Sequence, residues 1–413
     1  MARLILKNAN LLDGDSAAKP GMNVVIDGER IASVGSAPVV AKPDDRVIEL
    51  AGKTVMPGIV SGHFHASYNN ITIQPEPLGV ERPENYLALV AAKNLALALE
   101  CGITSVVSSG ANAGTVDADV CLAIQEGLIP GPRVMPASRG FDAIGGYTDT
   151  EKWWWNLGNK GAQLLCSGPD EFERAVRTEI KRGARMIKLF LSGGHAVPEY
   201  EGAMSLSRAE LDTVMRTAHA RGAKVRAHCA WKNVLLEAVA AGIDVIDHGD
   251  QMDDECMDAM TARGVFWVPS AFFTAQMIAP GAALSMATAE QMAPLRSEYD
   301  NVLRRVQQAR TNGMRVVLGD DYGIIVLPHG RYMEELEFYV KQAGIPALDV
   351  IRWSTKNGGE LFGGAIKTGM VREGYYADVL VVNGDPSADI ALLQNKTNVR
   401  AILKGGAFVR DAL

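Results

Sequence analysis

The sequence predicts an α/β protein: a (β/α)8 TIM-like barrel carrying a small β-sandwich built from both chain ends. Three observations predict it. Eight short apolar strands alternate with helix-length amphipathic segments between residues 59 and 318. The first ~55 residues are strand-like and poor in helix, and strands return over the last ~45. The expected division is residues 1–57 and 366–413 for the sandwich and 58–365 for the barrel.

Leu4-Ile5-Leu6-Lys7-Asn8-Ala9 reads as a strand before a turn at Asp13-Gly14. Segments 23–26 and 31–34 flank Asp27-Gly28, a hairpin signal, and 47–50 and 54–56 continue the β pattern. Met56-Pro57-Gly58-Ile59-Val60-Ser61-Gly62-His63-Phe64-His65 is a short apolar strand ending in two histidines. Residues 86–101 are apolar at helical spacing and stop at Gly102, and 103–107 form a buried strand. Helices are then expected over 116–125, 170–182, 208–221, 234–241, 253–263, 290–311 and 331–342. The strands between them are 133–137, 186–191, 224–227, 243–246, 265–269 and 315–318. After a helix over 347–356, segments 377–382 and 399–403 return to the β pattern and complete the sandwich. The competing doubly wound sheet is disfavoured by the strand count and by the single rim on which the polar residues fall.

Composition narrows the function class. Of 413 residues, 47% are hydrophobic and 22% charged, as in an ordinary globular protein. A net charge of −7 argues against broad nucleic-acid binding. Five cysteines without CxxC spacing suggest a reducing compartment and no disulfide framework, so a cytoplasmic location is expected. Asn8, Asn10, Asp13 and Asp15 interrupt what would be a signal-peptide core, and no run of about 18 apolar residues would span a membrane.

The chemistry lies at the strand ends. In a strand, residues i and i+2 share a face, so His63 and His65 project together. Lys188 sits inside Met186-Ile187-Lys188-Leu189-Phe190-Leu191, where an ammonium is costly to bury. His228 follows Val225-Arg226-Ala227, His248 follows Val245-Ile246-Asp247, and Asp320 and Asp321 follow Val316-Val317-Leu318-Gly319. A histidine at one strand end is more often a satisfied core group than a ligand, and Lys188 alone reads equally as half of a buried salt bridge. Placement of all of them at one barrel rim points instead to a shared site.

Those motifs resemble the metal-dependent amidohydrolase superfamily, in particular its prolidase, imidazolonepropionase-like and ochratoxinase-like group. Pro57-Gly58…His63-Phe64-His65, Lys188…Ser192-Gly193-Gly194, Ala227-His228-Cys229-Ala230, Asp247-His248-Gly249 and Gly319-Asp320-Asp321 stand where that family has its ligand motifs. Gly374-Tyr375-Tyr376-Ala377-Asp378-Val379…Gly384-Asp385-Pro386 is similar to its C-terminal sandwich segment. The resemblance implies two zinc ions per subunit. His63, His65 and Asp321 would hold one, and His228 and His248 the other; Lys188, N-carboxylated by CO2, would bridge them. Imidazole and carboxylate are suitable zinc ligands, and a free ammonium is not. It further implies hydrolysis of an amide by a metal-bridging hydroxide, with Asp321 as the catalytic proton carrier. Asp320 stands where the family usually has threonine, which leaves open whether it assists Asp321.

Substrate contacts are expected from the loops. Tyr147, in Gly145-Gly146-Tyr147, stands where the family usually has histidine and keeps a donor. Trp154, in Trp153-Trp154-Trp155, lines either an apolar pocket or a subunit interface. His195 and Tyr200 after the Lys188 strand, and His329 after the eighth strand, complete the candidates, while His219 and Cys229 read as structural. The expected substrate is a small-molecule amide: an N-acyl amino acid, a dipeptide-like compound or an aryl amide. The alternative is a lactone, ester, phosphotriester or cyclic amide hydrolysed on the same site. A metal-free assembly protein is disfavoured by the full ligand set. A homo-oligomer is expected from the resemblance alone, with no nucleic-acid or membrane partner.

Overall fold

The computed structural model describes residues 2–72, 78–155, 158, 160–195, 203–279 and 289–413, the side chains of 289–293 excepted. Alternating parallel strands and helices close into a barrel. Ile59–Phe64, Ile103–Ser108 and Arg133–Met135 pair in one arc. After Pro136 the third strand continues as Ala137–Ala143, which pairs with Met186–Phe190. Lys224–Cys229, Val245–His248, Phe266–Val268 and Arg315–Val316 follow in parallel register. The seam between the first and eighth strands is joined by the Gly62 N–H donating to the Leu318 carbonyl at 2.7 Å. Glycine is required there on both sides. A Cβ on Gly62 would lie 2.3 Å from Val317 Cγ1, and one on Gly319 (φ +150°) would lie 2.3 Å from the His63 nitrogen.

Strand alternation divides the interior. Outward residues such as Ile187, Leu189, Val225 and Ile246 pack against the helices in the main core. Inward residues below the site, including Val107, Met186, Val245, Phe266 and Val317, form a separate cluster with Leu361 and Phe362. The helices follow local signals: Ser207 and Glu210 form a capping box at the start of Arg208–His219, and left-handed Gly242 and Gly264 end their helices. No described helix is long and apolar enough to cross a membrane.

Both chain ends build one eight-stranded sheet, ordered with the C-terminal strands Val379–Asn383, Val399–Lys404 and Ala407–Asp411 beside Lys53–Pro57 and then Leu4–Leu11. Its own core holds Leu6, Val24, Ile26, Val55, Val379, Val381 and Leu403. Arg133 at the foot of the third barrel strand joins it to the barrel, with Nε 2.7 Å and Nη2 3.1 Å from the Asp378 carboxylate. All five cysteines are free thiols.

Three departures from the sequence expectation have local causes. The third strand runs past residue 137, and a further strand, Gln163–Cys166, pairs on its edge. Helix Ala271–Ile278 is apolar on nearly every face, so it shows no amphipathic period. The helix from Ala347 stops at Arg352, passes through a π turn, Trp353–Asn357, and resumes as Gly358–Phe362. Asn357 at that turn donates to the Val316 carbonyl at 2.7 Å, fastening the segment to the eighth strand.

Candidate metal centre and active site

The C-terminal ends of the barrel strands gather His63, His65, Lys188, His228, His248 and Asp321 into one buried floor. Asp321 is the hub. Its Oδ1 lies 3.0 Å from His63 Nε2 and 3.3 Å from His65 Nε2, and its Oδ2 lies 3.7 Å from His195 Nε2. Each of these rings is held from behind. His63 Nδ1 meets Asp247 Oδ1 at 3.2 Å, His65 Nδ1 meets the Gly110 carbonyl at 3.2 Å, and His195 Nδ1 meets Asp250 Oδ1 at 2.9 Å. For His65 and His195, an Nδ1–H donated outward leaves the Nε2 lone pair facing inward, as in ligating histidines, whereas His63 Nδ1 stands between the Asp247 carboxylate and the Arg226 guanidinium 3.0 Å away, which can only donate.

His228 Nε2 meets the Gly194 carbonyl at 3.1 Å, and its ring centroid is 4.6 Å from that of His248. Among the described residues, two groups place their ligand atoms within 4.8 Å of one another: His63, His65 and Asp321, and His195, His248 and Asp321. His63, His65 and Asp321 form one of these groups, as the resemblance implies, whereas His248 falls with His195 and Asp321 rather than with His228. The donor set of buried imidazoles and one carboxylate fits a zinc-like ion.

Beneath the floor is a charge network that sequence reasoning passed over. Arg226 is two residues before His228 and so faces the same barrel interior, fully buried. It pairs with both oxygens of Asp247 and donates to the carbonyls of Gly62 (3.0 Å) and Ser108 (2.9 Å). Lys188 Nζ donates to Asp247 Oδ2 at 2.7 Å. The available signal was the i, i+2 spacing of Arg226 and His228 with a second buried charge, Asp247, on the next strand.

Electrostatics follow the packing. Burial is the largest influence on Asp321 and opposes its charge, but His63, His65 and His248 overcome it and hold the carboxyl well below the usual range. Burial lowers Lys188, aided by Arg226 and opposed by Asp247. Burial also takes His65 down to about 4 and His228 to about 3. His195 is the exception: burial pulls it down, yet Asp250, Asp321 and Asp320 raise it to about 9. Asp320 turns away from the floor. Its oxygens accept from the Asp321 N–H (2.8 Å) and from the Phe273 N–H (3.0 Å) in the first turn of Ala271–Ile278.

A cavity of about 490 Å³ opens above the floor. Phe190, Phe273, Leu87, Val90 and Ile324 give it apolar walls, and Tyr68 stacks on His65 with ring centroids 4.0 Å apart. Arg82 and Glu81 bring charge to its rim. Not all expected substrate contacts are here. The Tyr147 hydroxyl donates to the Ala203 carbonyl, and Thr148 rather than Tyr147 lines the cavity. Trp154 is 62% exposed and lies outside the described lining. His329 packs behind the floor, 5.2 Å from Phe64 between ring centroids, with Nδ1 3.0 Å from the Tyr332 hydroxyl. Tyr200 lies outside the described residues. Among the described candidates His195 reaches the cavity; of the wall residues, Phe190, Leu87 and Val90 lie on the strand and helix expected from the sequence, while Tyr68, Phe273 and Ile324 lie outside any expected element.

Comparison with known proteins agrees with this geometry. The family model described as "Amidohydrolase family" matches residues 54–409. Ochratoxinase from Aspergillus niger is 27% identical over 418 aligned residues, covering 96% of this chain and 84% of that protein. A solved prolidase complexed with N-methylphosphonate-L-proline superimposes with a TM-score of 0.87 at 26% identity, covering 99% of this chain and 100% of that one. The solved A. niger ochratoxinase superimposes with a TM-score of 0.86 at 25% identity over 99% of this chain and 96% of that one. With the matched family spanning both the barrel and the sheet from the chain ends, the chain belongs to the amidohydrolase family and is a hydrolase acting on carbon–nitrogen bonds.

Proposed function

We propose that the protein is a binuclear zinc amidohydrolase whose substrate is a small amide bearing an apolar or aromatic group and a carboxylate. The observation that carries this reading is Asp321, an ionised buried carboxylate among inward-facing imidazole nitrogens at the base of an apolar cavity. His63, His65 and Asp321 would hold one ion and His228 and His248 the other, with Lys188 carboxylated between them. Ions bound there would acidify water and polarise the amide carbonyl.

The remaining steps belong to the chain's own groups. Asp321 takes a proton from the attacking water and returns it to the leaving nitrogen. Asp247 fixes the ring of His63 and is itself held by Arg226, so the imidazole keeps its orientation through the proton transfers. Phe190, Phe273 and Leu87 exclude water from the apolar part of the substrate. Arg82, on the cavity rim, supplies the guanidinium for a substrate carboxylate. Support for that assignment comes from the prolidase relative, whose ligand contains proline and therefore a carboxylate.

The test is a panel of N-acyl amino acids offered to zinc-loaded protein, with aromatic and aliphatic acyl groups compared and each matched to its carboxamide. Higher kcat/KM for aromatic acids than for aliphatic acids and for carboxamides is expected. Equal rates across the panel would remove the substrate assignment.

A further inference from the structure

One residue of the cavity wall is fixed along its whole length, yet its polar end has nothing to bond. The Tyr68 N–H donates to the His65 carbonyl at 3.2 Å, closing a turn over residues 65–68 just after the first strand. The turn brings the tyrosine back over His65, and the two rings lie with centroids 4.0 Å apart and planes within 5°. Asn94, buried in the helix Glu84–Glu100, clamps the turn: its Nδ2 donates to the Ala66 carbonyl at 2.9 Å and to the Tyr68 carbonyl at 3.0 Å. Beyond the turn, the Ile71 N–H donates to the Gly323 carbonyl at 3.0 Å, and the Ile71 carbonyl accepts from the Ile325 N–H at 2.9 Å. The segment is thereby tied to the loop that follows Asp321.

The phenol at the end of this held side chain lines the cavity and has no hydrogen-bond partner among the described residues. Ser67 Oγ, in the same turn, is buried, lines the same cavity and is likewise unpartnered. Hydroxyls left unpaired beside a cavity mark a place where a ligand completes their bonding. Burial first, then the charges of Asp321 on the floor and Glu81 on the rim, press the phenol toward its protonated form, so the hydroxyl is within electrostatic reach of both. Neighbouring donors are engaged elsewhere. Lys188 Nζ is on Asp247, the Thr148 hydroxyl donates to Asp142 Oδ2 at 2.8 Å, and the Tyr147 hydroxyl is turned to the Ala203 carbonyl.

Resting on the amide-hydrolase reading above, we propose that the Tyr68 hydroxyl is a catalytic hydrogen-bond donor to the oxygen of the scissile carbonyl. As the water oxygen adds to the carbonyl carbon, the C=O π pair moves onto that oxygen, and the phenol stabilises the charge without giving up its own proton. The pair returns as the C–N bond breaks and the leaving nitrogen takes the proton carried by Asp321. Tyr68, lying on the ring of His65, is the hydroxyl of the turn placed beside the reacting carbonyl. Asn94 is a positioning residue that holds the turn, so the donor needs no rearrangement during reaction.

The test compares zinc-loaded wild-type protein with Tyr68→Phe on an N-aromatic-acyl amino acid and on its phosphonamidate analogue, in which a tetrahedral phosphorus replaces the scissile carbon. Phenylalanine keeps the stack on His65 and removes only the hydroxyl. The expected result is a kcat about 100-fold lower with KM and zinc content unchanged, and an inhibition constant for the phosphonamidate raised by a similar factor. An unchanged kcat, a rise in KM alone, or loss of zinc together with turnover would each overturn the Tyr68 assignment and leave the amide-hydrolase reading in place. Wild-type protein that hydrolyses none of the amides would remove that reading, and the role of Tyr68 with it.

Discussion

On the floor of the site, His63, Lys188, Asp247 and Arg226 are buried on barrel strands, and each is held by polar contacts of 3.2 Å or less. On the rim, Arg82 and Glu81 are exposed in the segment linking the first strand to the first helix, and Tyr86, in the first turn of that helix (Glu84–Glu100), is 45% exposed. The difference teaches where each property of the enzyme resides. Floor positions are over-determined by strand geometry and by mutual charge, so a change there removes chemistry or folding. Rim positions are set by loops and touch little else, so a change there alters which amide is taken.

Substitutions separate the two regions, beginning with the floor. Lys188→Ala should bring metal content and turnover down together to background, which metal analysis beside a rate assay will show; full metal with normal turnover would break the comparison at its base. Asp321→Asn should reduce kcat by about 10²- to 10⁴-fold as the proton carrier is lost. Arg226→Met leaves Asp247 and two carbonyls short of donors, and should cost about 3 kcal/mol in denaturant unfolding. Moving to the rim, Arg82→Gln should leave folding untouched and lower kcat/KM about 10-fold for carboxylate-bearing amides, with no effect on their carboxamides. Trp154→Ala, on an exposed side chain outside the cavity, should change stability by less than about 0.5 kcal/mol and kinetics not at all. A large kinetic effect there would move the tryptophan from the surface back to the substrate.

The same division governs what could be read from the sequence. The barrel was legible in the alternation of strands and helices, and His63, His65, Lys188, His228 and Asp321 stand at inward positions at its strand ends, where polar residues are conspicuous. Arg226 and Asp247 are inward by the same rule, whereas His248, next to Asp247, reaches the floor through its left-handed backbone (φ +73°), which strand periodicity does not foretell. Asp320 was ambiguous because two adjacent aspartates end one strand, and only the backbone shows that it accepts from the Phe273 N–H, away from the floor. The rim resisted for a different reason. Tyr147 and Trp154 carry the chemistry expected of substrate contacts, yet loop conformation, which has no period, sends one to the Ala203 carbonyl and the other to solvent. Tyr68 and Arg82, which do reach the cavity, sit in stretches with no motif to flag them.

The central claim is that metal held on this floor hydrolyses an amide seated in the cavity above it. Its most direct measurement is kcat/KM for an N-aromatic-acyl amino acid before and after chelator stripping, and again after zinc is restored. Hydrolysis that disappears on stripping and returns with about two zinc ions per chain is the predicted result. A stripped protein that hydrolyses the amide at the same rate would contradict the claim.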